Sequence, residues 1–365
     1  MSIEKPVRVL IVEDSPVMQL FLTEIINADE RLTVLAVVPS GEKALAFLQA
    51  QPVDVISMDI RLPGMDGLET TRQIMQTCPT PIVVVSSQSE SQELDLSFGA
   101  LQAGALCVLA KPVGVSHPAF EQSARQLCTQ LVIMSQVKVI RQRLGRVVAA
   151  RSTKEVSSPL PRLSLKSEQL PDFQILGIAA STGGPKALSA LFNQLGTFPL
   201  PILLVQHIAP HFLAGFADWL NGVIPFQVVV ASEGMVPQPQ HIYLAPPERH
   251  LGYQKGKLTL LLGEPVSYQR PSGTVLFQSL AESLGPRAIG LVLTGMGDDG
   301  AAGLLQMRQT GAYTLAEAES TAVVYGMPAA ADKLGAVCHL LPLPDLAPHL
   351  QFLVKKRGVG FSKHL

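Results

Sequence analysis

The chain has 365 residues, a formal net charge of −1 at pH 7, and 47 % hydrophobic against 16 % charged residues. That composition excludes a largely disordered chain and supplies apolar material for about two domains with sizeable cores. It also lacks the basic bias of a nucleic-acid binder and the polybasic face of a membrane-surface protein.

The N-terminal run MSIEKPVRVL has no apolar signal core and passes directly into a strand pattern. Strands are predicted at Arg8–Val12, Leu32–Val38, Asp54–Met58, Ile82–Ser86 and Leu106–Leu109, with amphipathic stretches such as Val17–Asn27 and Gly41–Gln51 between them. Strands alternating with helices imply a parallel sheet covered on both faces, and five such units suit a flavodoxin-like, doubly wound α/β domain. The pattern from Phe120 to about Ala150 is helical. Arg151–Asp172 is rich in Ser, Pro and Leu without a period and reads as a linker. From Lys138 to Lys166 eight residues are basic and only Glu155 is acidic. This reads as a solvated helix end and linker, with a docking surface for an acidic partner as the alternative.

A second α/β domain is predicted to begin near Phe173. Its strands are expected at Ile175–Ala180, Ile202–Gln206, Gln227–Ala231, Ile242–Ala245, Ile289–Thr294 and Val337–Leu341, and its helices to start at Pro185, Phe212, Leu276 and Ala301. Leu258–Leu262 reads as a strand in a hairpin-like insertion ending near Ser272. The longest uncharged run, Ala187 to Ala217, is broken by Pro199, Pro201 and Pro210 and holds Gln206, His207 and His211, so no membrane span is expected. Cys78, Cys107, Cys128 and Cys338 form no CxxC pair and read as small buried apolar residues in a reducing compartment. The expectation is a soluble, cytoplasmic protein. Its domains are residues 1–125, a helical extension and linker at 126–171, and residues 172–365.

Two groups of polar residues stand at predicted strand ends. In the first domain Glu13 and Asp14 follow the first strand and Asp59 the third. The C-terminal ends of parallel strands converge on one crevice, and three hard oxygen ligands there suit Mg²⁺. Ser86 ends the fourth strand and Lys111 follows the fifth, so a hydroxyl and an ammonium reach the same pocket. Taken singly, each is explained as a helix cap or loop residue; together they are not.

In the second domain Ser181 ends ILGIAAS, His207 ends LPILLVQH, and Asp298 and Asp299 lie in GMGDDG between a strand and a helix. Ser, His and Asp are the types needed for a nucleophile, its base and the group that orients the base. Glycines beside Ser181 open a helix whose backbone N–H groups could hold an oxyanion. Each residue alone could be a cap or a core histidine. A rival reading takes Gly295–Gly300 as a dinucleotide-binding G-x-G-x-x-G loop with Glu317 or Glu319 on the ribose; two carboxylates inside the turn would repel a pyrophosphate. A second rival, the α/β-hydrolase elbow at Ala179–Gly183, conflicts with the chain order Ser, His, Asp.

VLIVEDSPVM, MDIRLPGMDGLE, VVVSS and LAKP resemble the receiver domain of two-component response regulators. The resemblance implies that Asp59 accepts a phosphoryl group from a histidine kinase. Glu13 and Asp14 would hold Mg²⁺ with Asp59, and Ser86 and Lys111 would contact the phosphoryl oxygens. Val108 stands where many receivers carry an aromatic switch residue. IAASTGGPKAL, LLVQHIAPHF, YLAPPERHL, VLTGMGDDGAAGL and VVYGMPAAA resemble the catalytic domain of chemotaxis protein-glutamate methylesterases, the CheB family. That implies Ser181 as nucleophile, His207 as general base and Asp299 as orienting acid, Asp298 falling on the variable position of GMGxDG. Thr182, Met296 and His250 match family positions at the oxyanion and substrate site. The implied activity is hydrolysis of glutamate γ-methyl esters, with deamidation of glutamines, on methyl-accepting chemotaxis receptors. It needs no cofactor for the ester chemistry, no nucleic acid and no membrane insertion, and phosphorylation of the receiver activates it. QHIAPHF and GMPAAA depart from the family's usual QHMPPxF and GMPREA.

Overall fold

The structure is a computed structural model that describes residues 5–86, 91–137, 139 and 171–355. The first domain runs β1 (Val7–Val12), α1 (Pro16–Asn27), β2 (Leu32–Val38), α2 (Gly41–Ala50), β3 (Val55–Met58), α3 (Gly67–Thr77), β4 (Ile82–Ser86), α4 (Ser91–Ala103), β5 (Cys107–Ala110) and α5 (Phe120–Ser135). Its strands pair in parallel in the order β2-β1-β3-β4-β5. β3 and β4 are buried throughout, as a sheet covered on both faces requires. Helix starts follow local chemistry: Ser15 caps α1 ahead of Pro16, Ser40 caps α2 and Asp66 caps α3 through its side chain. Leu127, Leu131 and Met134 of α5 are buried with Val9, Ile11 and Val83 of the sheet, so this helix is part of the first domain's core. The linker expected at Arg151–Asp172 lies, but for its last two residues, outside the described residues, as does the helical pattern expected beyond Ser135, apart from a few residues that are not helical.

The second domain runs β6 (Ile175–Ala180), α6 (Gly184–Leu195), β7 (Ile202–Gln206), α7 (Leu213–Val223), β8 (Gln227–Val230), β9 (His241–Leu244), β10 (His250–Gln254), β11 (Lys257–Leu261) and α8 (Gly273–Leu284). It continues through β12 (Ala288–Val292), α9 (Ala301–Gln309), β13 (Tyr313–Glu317), α10 (Met327–Lys333), β14 (His339–Leu341) and α11 (Leu343–Val354). Seven strands pair in parallel in the order β14-β13-β12-β6-β7-β9-β8, and β10 and β11 form an antiparallel hairpin outside the sheet. The chain leaves β6 toward β7 and later returns as β12 on its other side. That switch point lies where α/β sheets open a crevice beyond the strand ends. α8 begins three residues before the expected Leu276, because Ser272 caps it. β10 and β13 lie where the sequence pattern predicts no strand.

The cysteines are unpaired: Cys107 and Cys128 are buried, as expected, but Cys78 is half-buried and Cys338 exposed. None of the described helices is long and apolar enough to cross a membrane. One apolar cluster runs through both domains. Phe98 on α4, 1 % exposed, meets Phe212, Phe216 and Trp219 of the second domain, with ring centroids 6.4, 5.9 and 5.6 Å away.

Candidate active site

β12, β6 and β7 are neighbours in the sheet, and Asp299, Ser181 and His207 follow their C-terminal ends. The register pairs Ala180 with Gln206, so Ser181 and His207 extend adjacent strands side by side; the His207 amide donates to the Ala180 carbonyl at 2.9 Å. Adjacent strands lie about 4.8 Å apart, within reach of a hydroxyl and an imidazole. His207 Nε2 lies 2.8 Å from Asp299 Oδ2, which leaves Nδ1 for the hydroxyl side. Among the described residues the Ser181 hydroxyl has no hydrogen-bond partner.

Asp299 is 2 % exposed, whereas Asp298 faces solvent and its carbonyl accepts from the Ala301 amide. Around the Asp299 carboxylate four donors converge. His207 Nε2 and the Gly273 amide, at 2.6 Å, address Oδ2. The Ser272 hydroxyl, at 2.5 Å, and the Thr274 amide, at 3.1 Å, address Oδ1. Burial pushes this carboxyl up. The hydrogen bond and charge of His207, with the hydrogen bonds of Ser272 and Gly273, outweigh burial and hold it below its usual value. An anion is therefore fixed against the imidazole.

The turn after β6 is shaped by glycine. Gly183 has φ +80°, and a Cβ there would meet the Val323 side chain at 2.6 Å. A Cβ on Gly295 would lie 2.7 Å from Ser181 Cβ, so only glycine lets the two strand ends close on each other. The Thr294 hydroxyl donates to the Thr182 carbonyl at 2.9 Å and ties these turns together. The backbone N–H groups of Thr182 and Met296 have no acceptor among the described residues. Thr182 follows Ser181 directly, and Met296 follows Gly295, the glycine that closes on Ser181. The Met296 side chain is 47 % exposed at the mouth.

His250 departs from its expected place. It is 2 % exposed and lies behind Asp299, not on the cleft wall; its Nδ1 accepts from the Ser272 amide at 3.2 Å, and its Nε2 lies 3.1 Å from the Glu264 carbonyl. Glu317, the rival ribose ligand, is buried at the end of β13 and accepts from the Thr294 amide at 2.9 Å; burial pushes its carboxyl up. Asp299 is likewise turned inward, onto His207 and the first residues of α8.

In the first domain Glu13, Asp14 and Asp59 bring carboxylate oxygens within 4.8 Å of one another. Lys111 Nζ lies 2.8 Å from Glu13 Oε2 and 3.0 Å from Asp59 Oδ2. Burial, aided by the Asp59 charge, pushes the Glu13 carboxyl up to about 6 against the pull of Lys111; burial also raises Asp59. One ammonium cannot balance three clustered carboxylates, and an oxygen-only donor set of this kind fits Mg²⁺. Ser86 is buried at the end of β4; its carbonyl accepts from the Lys111 amide at 2.9 Å, and its hydroxyl accepts from the Ser97 hydroxyl at 3.1 Å. Val108 is half-buried on β5.

Two contacts that sequence reasoning missed join the domains. Gln130 of α5 donates from its amide to Thr182 Oγ1 at 3.3 Å, one residue from Ser181. Val323 and Val324 pack against the first domain's cluster around Leu127 and Leu131. α5 therefore lies over the mouth of the second domain's crevice.

Two family models match the chain: the response regulator receiver domain over residues 9–117 and CheB methylesterase over residues 176–350. Known proteins similar to it include protein-glutamate methylesterase/protein-glutamine glutaminase 2 of Paramagnetospirillum magneticum. That protein is 50 % identical over 353 residues, spanning 96 % of this chain and 98 % of that protein. The protein-glutamate methylesterase/protein-glutamine glutaminase of Nitrosospira multiformis is 40 % identical over 354 residues, 96 % of this chain and 98 % of that protein. That of Myxococcus xanthus numbered 4 is 41 % identical over 355 residues, 97 % and 98 %.

Proposed function

The chain belongs to the CheB methylesterase family, and from that premise we propose that it hydrolyses glutamate γ-methyl esters on methyl-accepting chemotaxis receptors in the cytoplasm, under control of its receiver. The observation that carries this reading is the His207–Asp299 pair, at 2.8 Å, at the end of the strand beside Ser181.

Ser181 Oγ attacks the ester carbonyl carbon while His207 Nδ1 takes its proton. The Thr182 and Met296 amides receive the negative charge that develops on the carbonyl oxygen. As the tetrahedral adduct collapses, the C–O bond to the methoxy group breaks, and His207 returns the proton so that methanol leaves. Water, deprotonated by His207, then attacks the glutamyl–Ser181 ester and frees the glutamate carboxylate and the serine. Asp299 holds the imidazole by its Nε2–H and stabilises its protonated form. A glutamine side chain enters the same sequence with ammonia as leaving group. In these steps the nucleophile, the base and the oxyanion donors are all groups of the protein.

In the receiver, Asp59 accepts the phosphoryl group from a histidine kinase of the pathway. Glu13, Asp14 and Asp59 would hold Mg²⁺, which neutralises the charge of the incoming phosphoryl group. Ser86 and Lys111 then turn toward the new dianion. Because α5 and α4 carry the interdomain contacts through Gln130 and Phe98, a shift of these elements would open the crevice over Ser181. The test is methanol release from methylated receptors with and without a small-molecule phosphodonor. Release that rises with the phosphodonor, and loses that rise in Asp59→Asn, is expected. No methanol under either condition would refute the esterase reading, and undiminished stimulation of Asp59→Asn would refute the switch.

A further inference from the structure

We propose that Ser272, seated by His250, is a positioning residue for the orienting acid. The inference rests on the reading of Asp299 as the group that orients His207.

Ser272 has no exposed surface and serves two partners at once. Its oxygen accepts from the Thr274 amide at 3.1 Å, the ordinary service of a helix N-cap. Its proton goes to Asp299 Oδ1. Capping needs only the lone pair; the donated hydrogen bond is an addition that a cap does not require. It occupies one side of the carboxylate while the Gly273 and Thr274 amides occupy others. The carboxylate plane is thereby fixed with Oδ2 aimed at His207.

His250 supplies the seat. A backbone N–H can only donate, so the Ser272 amide facing Nδ1 makes that nitrogen an acceptor, and the proton sits on Nε2 facing the Glu264 carbonyl. Both ring nitrogens are engaged inside the protein, and the imidazole holds the Ser272 backbone from the side away from Asp299. A further tie closes the frame: the Gly300 amide donates to Thr274 Oγ1 at 2.8 Å, so the loop bearing Asp299 is bonded to the first turn of α8. The order of support is His250, Ser272, Asp299, His207, and only the last touches a reacting atom.

A hydrogen bond to a charged buried group carries a factor of about 10 to 100 in an equilibrium or rate. Ser272→Ala is expected to lower kcat for methanol release by about that factor, with KM within about twofold of the parent. Ser272→Gly separates the two services of the residue, because glycine is nearly as good an N-cap as serine but has no hydroxyl. It should lose kcat to a similar extent while unfolding no more easily than Ser272→Ala, since both variants lose the bond to Asp299 and only the alanine also loses the cap. The deciding measurement is a double-mutant cycle with Asp299→Asn. If Ser272 acts through the carboxylate, removing its hydroxyl in the Asp299→Asn background costs no more than about twofold. An equal loss in both backgrounds, or an unchanged kcat in both Ser272 variants, overturns the proposal. A parent-like kcat in Asp299→Asn alone overturns the orienting-acid reading beneath it, a distinct outcome. His250→Leu should match Ser272→Ala. His250→Asn, whose amide oxygen can accept from the Ser272 amide, should recover most of the loss; a parent-like kcat in His250→Leu removes His250 from the account.

Discussion

Truncating Phe98 to alanine should release the esterase without phosphorylation. Phe98 belongs to the receiver but has almost no exposed surface, because its ring lies against Phe216 and stacks on Trp219, with planes 23° apart. Separating the domains would return that ring to water. Burying a phenylalanine side chain is worth about 1.5–3 kcal/mol, and an aromatic pair adds about 0.5–1.5 kcal/mol. Part of the ring's burial comes from its own helix, so the share that holds the domains together is about 2–3 kcal/mol. That corresponds to roughly a 30- to 150-fold change in the ratio of closed to open molecules. Methanol release by the unphosphorylated Phe98→Ala protein should rise toward that factor, stopping where the open form predominates, and a phosphodonor should then add little. Circular dichroism and a cooperative unfolding transition would establish that the receiver still folds. A folded variant with parental or lower unstimulated activity would refute the argument that this aromatic contact keeps the crevice covered.

Trp219 is the sole tryptophan and sits in that same contact, so intrinsic fluorescence should change when a phosphodonor is added and stay constant in Asp59→Asn. Asp299→Ala should lose far more methanol release than Asp298→Ala, since one carboxylate is buried against His207 and the other faces solvent; the reverse order would exchange their roles. His349 tests burial by pH. Burial, with the neighbouring His339, lowers its pKa to about 4, and its Nε2 lies 3.0 Å from the Tyr313 hydroxyl. An unfolded histidine titrates near pH 6.5, so between about pH 6.5 and 4 the unfolded chain binds a proton that the folded chain refuses. The stabilisation is complete above that window and lost as pH falls through it, by about 2 kcal/mol between pH 7 and pH 5. Denaturant titrations should show this pH dependence reduced in His349→Gln; an identical dependence in both proteins would contradict it.

The strands that carry the site were legible because each is a short, continuous apolar run ended by a polar residue. β1, β2, β4, β6 and β7 fall where the pattern places them, to within a residue. Three chemically complementary residues at the ends of such strands could be read as one site before the strand order was known. β13 was hidden because Tyr313–Glu317 ends in a charged residue, and nothing local tells that Glu317 is buried on the Thr294 amide. β10 contains His250 and Gly252 and forms only by pairing with β11. His250 was recognisable by its motif, but its partner Ser272 lies 22 residues away in sequence, so its place behind Asp299 depends on the packing of α8. The interdomain contacts are further still: Gln130 and Thr182 are 52 residues apart. A glutamine on a helix carries no sign of which surface it will meet.

The central claim is that Ser181 attacks the ester with His207 as its base. Its most direct test is methanol release from methylated receptors by Ser181→Ala, measured with phosphodonor beside the parent protein. Loss of a serine-hydrolase nucleophile costs a factor of about 10⁶ in kcat, so release should fall to background while the variant still folds and accepts phosphate at Asp59. Methanol release within about tenfold of the parent would contradict the account.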